Sequence, residues 1–433
     1  MNEIKIIPEG KFQRTLISTK TAGKISGKVL TYLVKKPFLS KDKKAAAKKD
    51  LSEKSAETIF KSLTFLKGTA LKIAQFLSME LEILPETFRK ELEKSYNRVP
   101  PLNRAVVRKI LKDVYEGNPE QVFLNFEGEA FAAASLGQVH RAETKERNQI
   151  ALKIQYPGIK NTIESDLKLV KTVVKPFSDY AFILPGLDEV KEKLIEETDY
   201  INEGRNLLFF KKRLQLKSVK IPALYEKYSS DVVIATEYIK GIALNEWIET
   251  NPPVQEKNKI AGILFEIFIK SLYELKCIHA DPNPGNFIIT PDLKVGLIDF
   301  GCVKKYDQVF IDNYQRLNKA IHKDESEYFS LLNELNLFTD DIDEEIQHEI
   351  IQIMHKVANW YALFYEKEWF DFQENKDIFI EPQKLFRELA KYKKYFNSQP
   401  DFIYLDRTRY GLYRIFEKMQ VKIKIRNKYE WEE

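Results

Sequence analysis

Cysteine is almost missing from this chain: Cys277 and Cys302 are the only two in 433 residues. They form no CxxC pair, which argues against a disulfide framework or a thiolate metal site and for a reducing compartment. No run of about 18 uninterrupted apolar residues occurs, so no transmembrane helix is expected. The opening MNEIKIIPEG has no apolar signal-peptide region. There is no internal repeat and no aromatic–glycine motif of the RNA-recognition type, so nucleic acid is not an expected partner. What is present is a globular composition, 44% hydrophobic and 31% charged. The length suffices for one large core or two lobes. The formal charge of +5 is unevenly placed: residues 1–57 hold 14 Lys/Arg against 6 Asp/Glu, so a basic arm precedes a slightly acidic body. The expected location is the cytoplasm, with peripheral attachment to the inner face of a membrane where the arm meets anionic lipid.

Within that arm, taken as residues 1–60, Ile25, Val29 and Leu33, with Leu30 and Val34, fall at helical spacing beside Lys28, Lys35 and Lys36. Such a basic amphipathic helix suits an anionic membrane surface, and the same stripe equally suits a helix packed on the body. Residues 61–105 continue with Leu66, Ala70, Ile73, Leu77 and Leu81 at helical spacing, and Lys72 and Gln75 share one face of that helix. Residues 103–115 are another helix. The stretch that follows reads as three short strands whose first turn holds Ala132, Ala133, Ala134 and Ser135 before Gly137. Ile150-Ala151-Leu152-Lys153 ends an apolar strand. Residues 187–210 read as strongly helical, with Glu197, Asp199 and Glu203 as candidate carboxylates and with Leu194, Ile201 and Leu207 around Glu203. Residues 232–239 form a strand ending at Glu237, Tyr238 and Ile239, with Gly241 just beyond as a bend.

Residues 277–301, CIHADPNPGNFIITPDLKVGLIDFG, organise the rest. Asp281 is followed five residues later by Asn286, and Asp299 stands in an Asp-Phe-Gly triplet. Two apolar runs around Pro291-Asp292 predict a hairpin that brings Asn286 and Asp299 to one end. Asp-Pro and Pro-Gly also serve as plain turn residues, but with the later Asp-Phe-Gly at this distance the stretch resembles the catalytic core of the protein-kinase superfamily. Two carboxylates and an amide suit a triphosphate with Mg²⁺, a hard ion that takes oxygen ligands. Beyond Gly301 the chain reads as helical to its end. The aromatic cluster Trp360, Tyr361, Phe364, Tyr365, Trp369 and Phe370 reads as lobe core or as an apolar ligand groove.

Together AAASLGQVHRA, HADPNPGN, Glu197-Thr198-Asp199 with Glu203, and Lys72-x-x-Gln75 resemble the UbiB-type, or aarF-domain, atypical kinases. The resemblance runs over about residues 65–305. It implies an α+β, two-lobed kinase-like fold, with a β-rich N-lobe at 106–240, a helical C-lobe at 241–433, and the 61–105 helices packed over the active site. It implies ATP and Mg²⁺ as cofactors, slow ATP hydrolysis, no phosphorylation of generic proteins, and a lipid or isoprenoid-quinone precursor as partner. By motif match Lys153 is the nucleotide lysine and Glu203, rather than Glu197, its partner. Asp281 is the catalytic Asp, while Asn286 and Asp299 are the Mg²⁺ ligands. The loop Ala132–Ser135 covers the phosphates, stiffened by alanine where kinases have glycine, and Glu237 and Ile239 meet the adenine. Lys72, Gln75, Glu197 and Asp199 form a regulatory lid. Two positions depart from the family: Ala74 where Gly is usual, and Asn283 where His is usual and protein kinases have Lys. The rival readings are a small-molecule phosphotransferase of the aminoglycoside-kinase kind and a pseudokinase scaffold.

Overall fold

The computed structural model describes residues 102–134, 136–174, 191–192, 194–323, 325–335, 337–339, 342–397 and 400–431. The basic arm, the Lys72/Gln75 helix and Ser135 lie outside the described residues. The chain divides into two units: described residues up to Gly204 with Leu224–Tyr238, and Arg205–Ala223 with Ile239–Glu433. The division falls after Tyr238 and also sets residues 205–223 with the second unit.

The first unit opens with α1 (Arg104–Tyr115), capped by Asn103, whose side chain accepts from the Ala105 N–H at 2.8 Å. After α2 (Pro119–Val122) come β1 (Asn125–Phe126), β2 (Ala132–Ala134), β3 (Gly137–Glu143) and β4 (Gln149–Gln155). The alanines expected in a turn are thus a strand of their own. They pair antiparallel with β3, Ala132 opposite Val139 and Ala134 opposite Gly137. Four strands stand where three were expected, because the small alanines complete a ladder with β3. Gly137 is required here: a Cβ on it would collide with the Ile154 carbonyl across the ladder. Next come α3 (Ile159–Val174) and α4 (Tyr200–Arg213). The 187–210 stretch is not one helix. Helical residues 194–197 end at Thr198-Asp199, and α4 starts anew at Tyr200. Ile201 is exposed, so it is not part of the apolar face around Glu203. The unit boundary passes through α4 after Gly204. Downstream, β5 (Val219–Lys220) belongs to the second unit, and β6 (Val233–Glu237) completes the antiparallel order β1-β3-β4-β6 of the first.

A buried polar knot locks the edge of this sheet. His140 Nδ1 bonds the Glu127 carbonyl at 2.9 Å, so that nitrogen carries the proton and Nε2 accepts from the Gln138 amide at 2.7 Å. Gln138 in turn accepts from the Leu102 N–H, and the imidazole stacks on Phe126. Burial holds His140 below the usual histidine value of 6.5. The contribution to stability is fully present above that value. It is lost as pH falls below it, because the unfolded chain then binds a proton that the native chain does not. Urea titrations from pH 8 to 5 should show an acid limb that is flatter in His140→Gln. An unchanged limb would move the acid sensitivity to another group.

The second unit continues with β7 (Ile242–Ala243), α5 (Leu244–Glu249), α6 (Val254–Tyr273), β8 (Cys277–His279), β9 (Phe287–Ile289), β10 (Val295–Leu297) and β11 (Val303–Lys305). One sheet has the order β5-β10-β9-β7, and β8 pairs with β11 in a separate ladder. The region after Gly301 is not wholly helical. To α7 (Gln308–Lys323), α8 (Glu325–Glu334), α9 (Glu344–Leu363), α10 (Ile380–Ala390) and α11 (Pro400–Met419) it adds β12 (Trp369–Asp371) and β13 (Lys422–Lys424), an antiparallel pair. Trp360, Phe364, Tyr365 and Phe370 are core, with Phe364 between Trp360 and Phe370, whereas Trp369 is exposed on its strand. Both cysteines are buried and unpaired with each other. Burial pushes the Cys277 thiol up to about 12, so it is an inert core group. Among the described residues, no helix is long and apolar enough to cross a membrane.

Candidate active site

In the first unit the chemistry begins with the alternation of β4. Ile150, Leu152 and Ile154 are buried on one face, so Ala151 and Lys153 share the other. Lys153 lies in the middle of the ladder, opposite Val139 on one side and Ile234 on the other. Its Nζ bonds both carboxylate oxygens of Glu203, at 2.9 and 3.0 Å. The Lys153 side chain keeps 17% of its surface while Glu203 keeps 3%, so the pair is desolvated from the Glu side. The position of Glu203 follows from the helix break. Asp199 caps α4 by accepting from the Asn202 N–H at 3.0 Å, and its carbonyl receives the Glu203 N–H at 2.9 Å. A carboxylate in the first turn of a helix faces the positive end of the helix dipole. Thr198, just before the cap, is held by the Gln155 amide from the end of β4 at 3.0 Å. The strand carrying Lys153 and the helix carrying Glu203 are therefore tied together near the pair. Asp199 is exposed and Glu197 half-buried. Ala132 and Ala133 are exposed on β2, Ala134 and Glu237 are half-buried, and Ile239, in the second unit, is buried.

In the second unit, β8 and β11 form a short ladder, Val303 opposite His279, and the Ala280 N–H donates to the Cys302 carbonyl at 2.9 Å. The strand before Asp281 and the chain after Asp-Phe-Gly are zipped together. His279 adds a bond from Nε2 to the Asp299 carbonyl. Beyond Asp281, Asn283 caps the 3₁₀ turn Pro284–Asn286, its Oδ1 accepting from the Gly285 N–H at 3.0 Å. The turn aims Asn286 back, and its Nδ2 donates to Asp281 Oδ2 at 2.9 Å. The predicted hairpin is β9 and β10, Phe287 opposite Leu297, and the Ile298 N–H donates to the Asn286 carbonyl at 3.2 Å. Asn286 and Asp299 therefore sit at one end of it. Asp299 Oδ1 accepts from the Gly301 N–H at 2.9 Å, while Phe300 is fully buried against Phe210 and His279. Asn206 completes the clamp by donating to the Phe300 carbonyl at 3.1 Å.

This donor set fits Mg²⁺. It offers hard carboxylate and amide oxygens, and with its nitrogen committed to Asp281, Asn286 has its amide oxygen left to ligate. Among the described residues, no three or more His, Cys, Asp or Glu side chains group to hold a metal alone. Two carboxylates and an amide suit an ion that keeps waters and takes phosphate oxygens as its other ligands. Sequence reasoning missed His279, Asn206 and Arg407, whose Nη2 lies 4.0 Å from Asp281 Oδ1. The position of His279 in His-x-Asp was a usable signal. Asn206, one turn after Glu203, had only its polarity on an apolar face, and Arg407 had no local signal at all.

Comparison with known proteins gives the family and the fold. The model of the ABC1 atypical kinase-like domain matches residues 94–331, more than half of the chain. The chain is 26% identical over 334 residues to a probable serine/threonine-protein kinase, abkA, of Dictyostelium discoideum, covering 73% of this chain and 59% of that one. It is 31% identical over 325 residues to the chloroplastic ACTIVITY OF BC1 COMPLEX KINASE 8 of Arabidopsis thaliana, covering 70% and 42%. It is 26% identical over 388 residues to the mitochondrial atypical kinase coq-8 of Caenorhabditis elegans, covering 86% and 50%. These matches span 42–59% of the relatives' own lengths. The structure of the Rv3197–erythromycin complex from Mycobacterium tuberculosis has the same fold, with a TM-score of 0.58 and 24% identity, covering 89% of this chain and 96% of that one. With a kinase-like α+β fold and a domain match across both the Lys153–Glu203 pair and the Asp281–Asp299 segment, the chain belongs to the ABC1 atypical kinase-like family.

Proposed function

We propose that this chain is an ATP- and Mg²⁺-using enzyme of the UbiB type: an ATPase, or a kinase for a small lipid-linked acceptor, that serves isoprenoid-quinone or other lipid metabolism and leaves generic proteins alone. The observation that supports it most is the pair in which both carboxylate oxygens of Glu203 hold Lys153 Nζ. A lysine on a central strand, neutralised by a nearly buried carboxylate yet still partly exposed, is held ready for phosphate oxygens. Burial costs such a pair much of its Coulombic gain, so stability alone is a weak reason for it.

In this reading Lys153 binds the α- and β-phosphates, and the Ala132–Ala134 hairpin lies over them. Glu237 and Ile239 flank the adenine. Asp281 orients the attacking hydroxyl or water and receives its proton. Asn286 and Asp299 hold the metal, which when bound neutralises phosphate charge. The lipid assignment rests on the family resemblance, with the basic arm as the membrane-facing element.

The test begins with thermal unfolding. Mg-ATP at about a hundredfold excess over its Kd should stabilise the parent by about 2.7 kcal/mol. Lys153→Glu and Glu203→Lys should each abolish this, and the double reversal should recover part of it. Phosphate release should rise with vesicles that carry an isoprenoid-quinone precursor. A parent that gains no stability from Mg-ATP, or single variants that gain as much as the parent, would refute nucleotide binding at this pair. Turnover indifferent to every lipid would remove the lipid assignment.

A further inference from the structure

The loop after Asp281 has no cation of its own. Asn283, where protein kinases have Lys, spends its side chain on capping the turn, its Oδ1 holding the Gly285 N–H. The described structure brings a cation from elsewhere in the same unit. Arg407 of α11 places Nη2 4.0 Å from Asp281 Oδ1, and the two side chains keep only 14% and 16% of their surface. We propose that Arg407 is the positioning cation of Asp281, supplied by the C-terminal helix in place of a loop lysine. This rests on the reading of Asp281 given under Proposed function.

Two further contacts show that α11 is built to hold this arginine there. Gly411, one turn after Arg407 on the same face, lies so close to Pro282 that a Cβ would collide with the proline ring. Four residues is the helical spacing that puts both on one side, so the glycine lets the helix reach the loop where the arginine is needed. Before Arg407, Asp401 of α11 pairs with Lys304 of β11, just beyond Asp-Phe-Gly. The helix is thus pinned to the catalytic loop on one side of Arg407 and to the following strand on the other.

The separation matters. At 4.0 Å Nη2 is beyond hydrogen-bond range of Oδ1, so this contact opposes the carboxylate charge through space. The other oxygen, Oδ2, is oriented by Asn286 at 2.9 Å. In the transfer step the acceptor oxygen bonds to Pγ as the bond from Pγ to the bridging oxygen of ADP breaks. The electron pair leaves with ADP and the acceptor proton passes to Asp281. Arg407 makes and breaks no bond. It holds Asp281 aimed before the step.

The test compares Arg407→Gln with Arg407→Lys in the full chain, reading kcat for ATP hydrolysis, the Kd of Mg-ADP and the unfolding midpoint. Arg407→Gln should lose about 10- to 100-fold in kcat, at or below the lower end of the roughly 10²- to 10⁴-fold contributed by a general base, because Asp281 itself remains, with the Kd of Mg-ADP within about twofold of the parent. Arg407→Lys should recover most of the loss, since the charge is restored. A glutamine variant that turns over like the parent overturns the proposal. So does a loss in which lysine fares as badly as glutamine while Kd rises and the unfolding midpoint falls, because that is the signature of packing alone. A parent that binds no Mg-nucleotide removes the functional reading itself, and with it any role for Arg407. A parent that binds and hydrolyses ATP while Arg407→Gln is silent removes only this inference.

Discussion

Glu430→Ala should lower the unfolding free energy by about 3–5 kcal/mol, the cost of stripping a buried charge of its partner. Arg409 and Glu430 keep 1% and 0% of their side-chain surface. The guanidinium bonds both oxygens of the carboxylate and donates to the Tyr365 hydroxyl at 2.8 Å. The carboxylate also accepts from the hydroxyls of Tyr273, at 2.7 Å, and Tyr365. Burial opposes its ionisation, yet Arg409 and these hydroxyls together hold Glu430 below the usual carboxylate range. Four segments meet there: the end of α6, the chain after α9, the middle of α11, and the tail, where Asn427 caps the turn that carries Glu430. Removing the carboxylate leaves one guanidinium charge and two hydroxyls buried without their acceptor. A contrasting variant, Lys424→Ala, breaks a pair with Glu368 whose side chains keep 54% and 55% of their surface, and should cost less than about 1 kcal/mol. Urea unfolding followed by the fluorescence of buried Trp247 and Trp360 reads both. Equal losses for the two variants would show that the tail network contributes no more than a surface pair.

Asp299→Asn should reduce Mg-dependent ATP turnover by roughly two to three orders of magnitude, the scale for losing one charged contact to the transition state. The substitution is well suited because it removes charge and spares structure. Asp299 Oδ1 accepts from the Gly301 N–H at 2.9 Å, and an amide oxygen accepts the same bond. His279 holds the residue through its backbone carbonyl, which the change does not touch. The unfolding midpoint without nucleotide should therefore match the parent, while the midpoint gained on adding Mg-ADP should shrink. Excess EDTA should abolish that gain in the parent and change little in the variant. Equal stabilisation of both proteins by Mg-ADP would show that Asp299 is not a metal ligand.

Much of the site was readable from residues close in sequence. The spacing from Asp281 to Asn286 and on to Asp299 predicts a loop, a hairpin and a shared end, because a two-strand hairpin has only one way to return the chain. The Ile-Ala-Leu-Lys pattern likewise puts Lys153 on the polar side of a strand. Two local readings failed for identifiable reasons. Alanine-rich residues 132–134 carry no strand signal of their own and pair only because β3 offers an open edge. The 187–210 pattern is helical in composition, but Thr198 and Asp199 favour caps over helix interiors, and the Asp199 side chain accepts the Asn202 N–H and starts a new helix.

By itself the sequence determined the family and the α+β class, and it singled out the residues proposed here for phosphate and metal chemistry, since these are carried by short motifs whose spacing follows from backbone geometry. Only tertiary structure decided which distant groups act on them. Nothing near Asp281 in the chain announces Arg407, nothing near Arg409 announces Glu430 or Tyr273, and Asn206 reads as one more polar helix residue. The physical reason is that a charge or hydrogen bond acts over a few ångströms in space whatever the separation in sequence. Backbone periodicity constrains only the neighbours three or four residues away on a helix, or directly opposite on a strand.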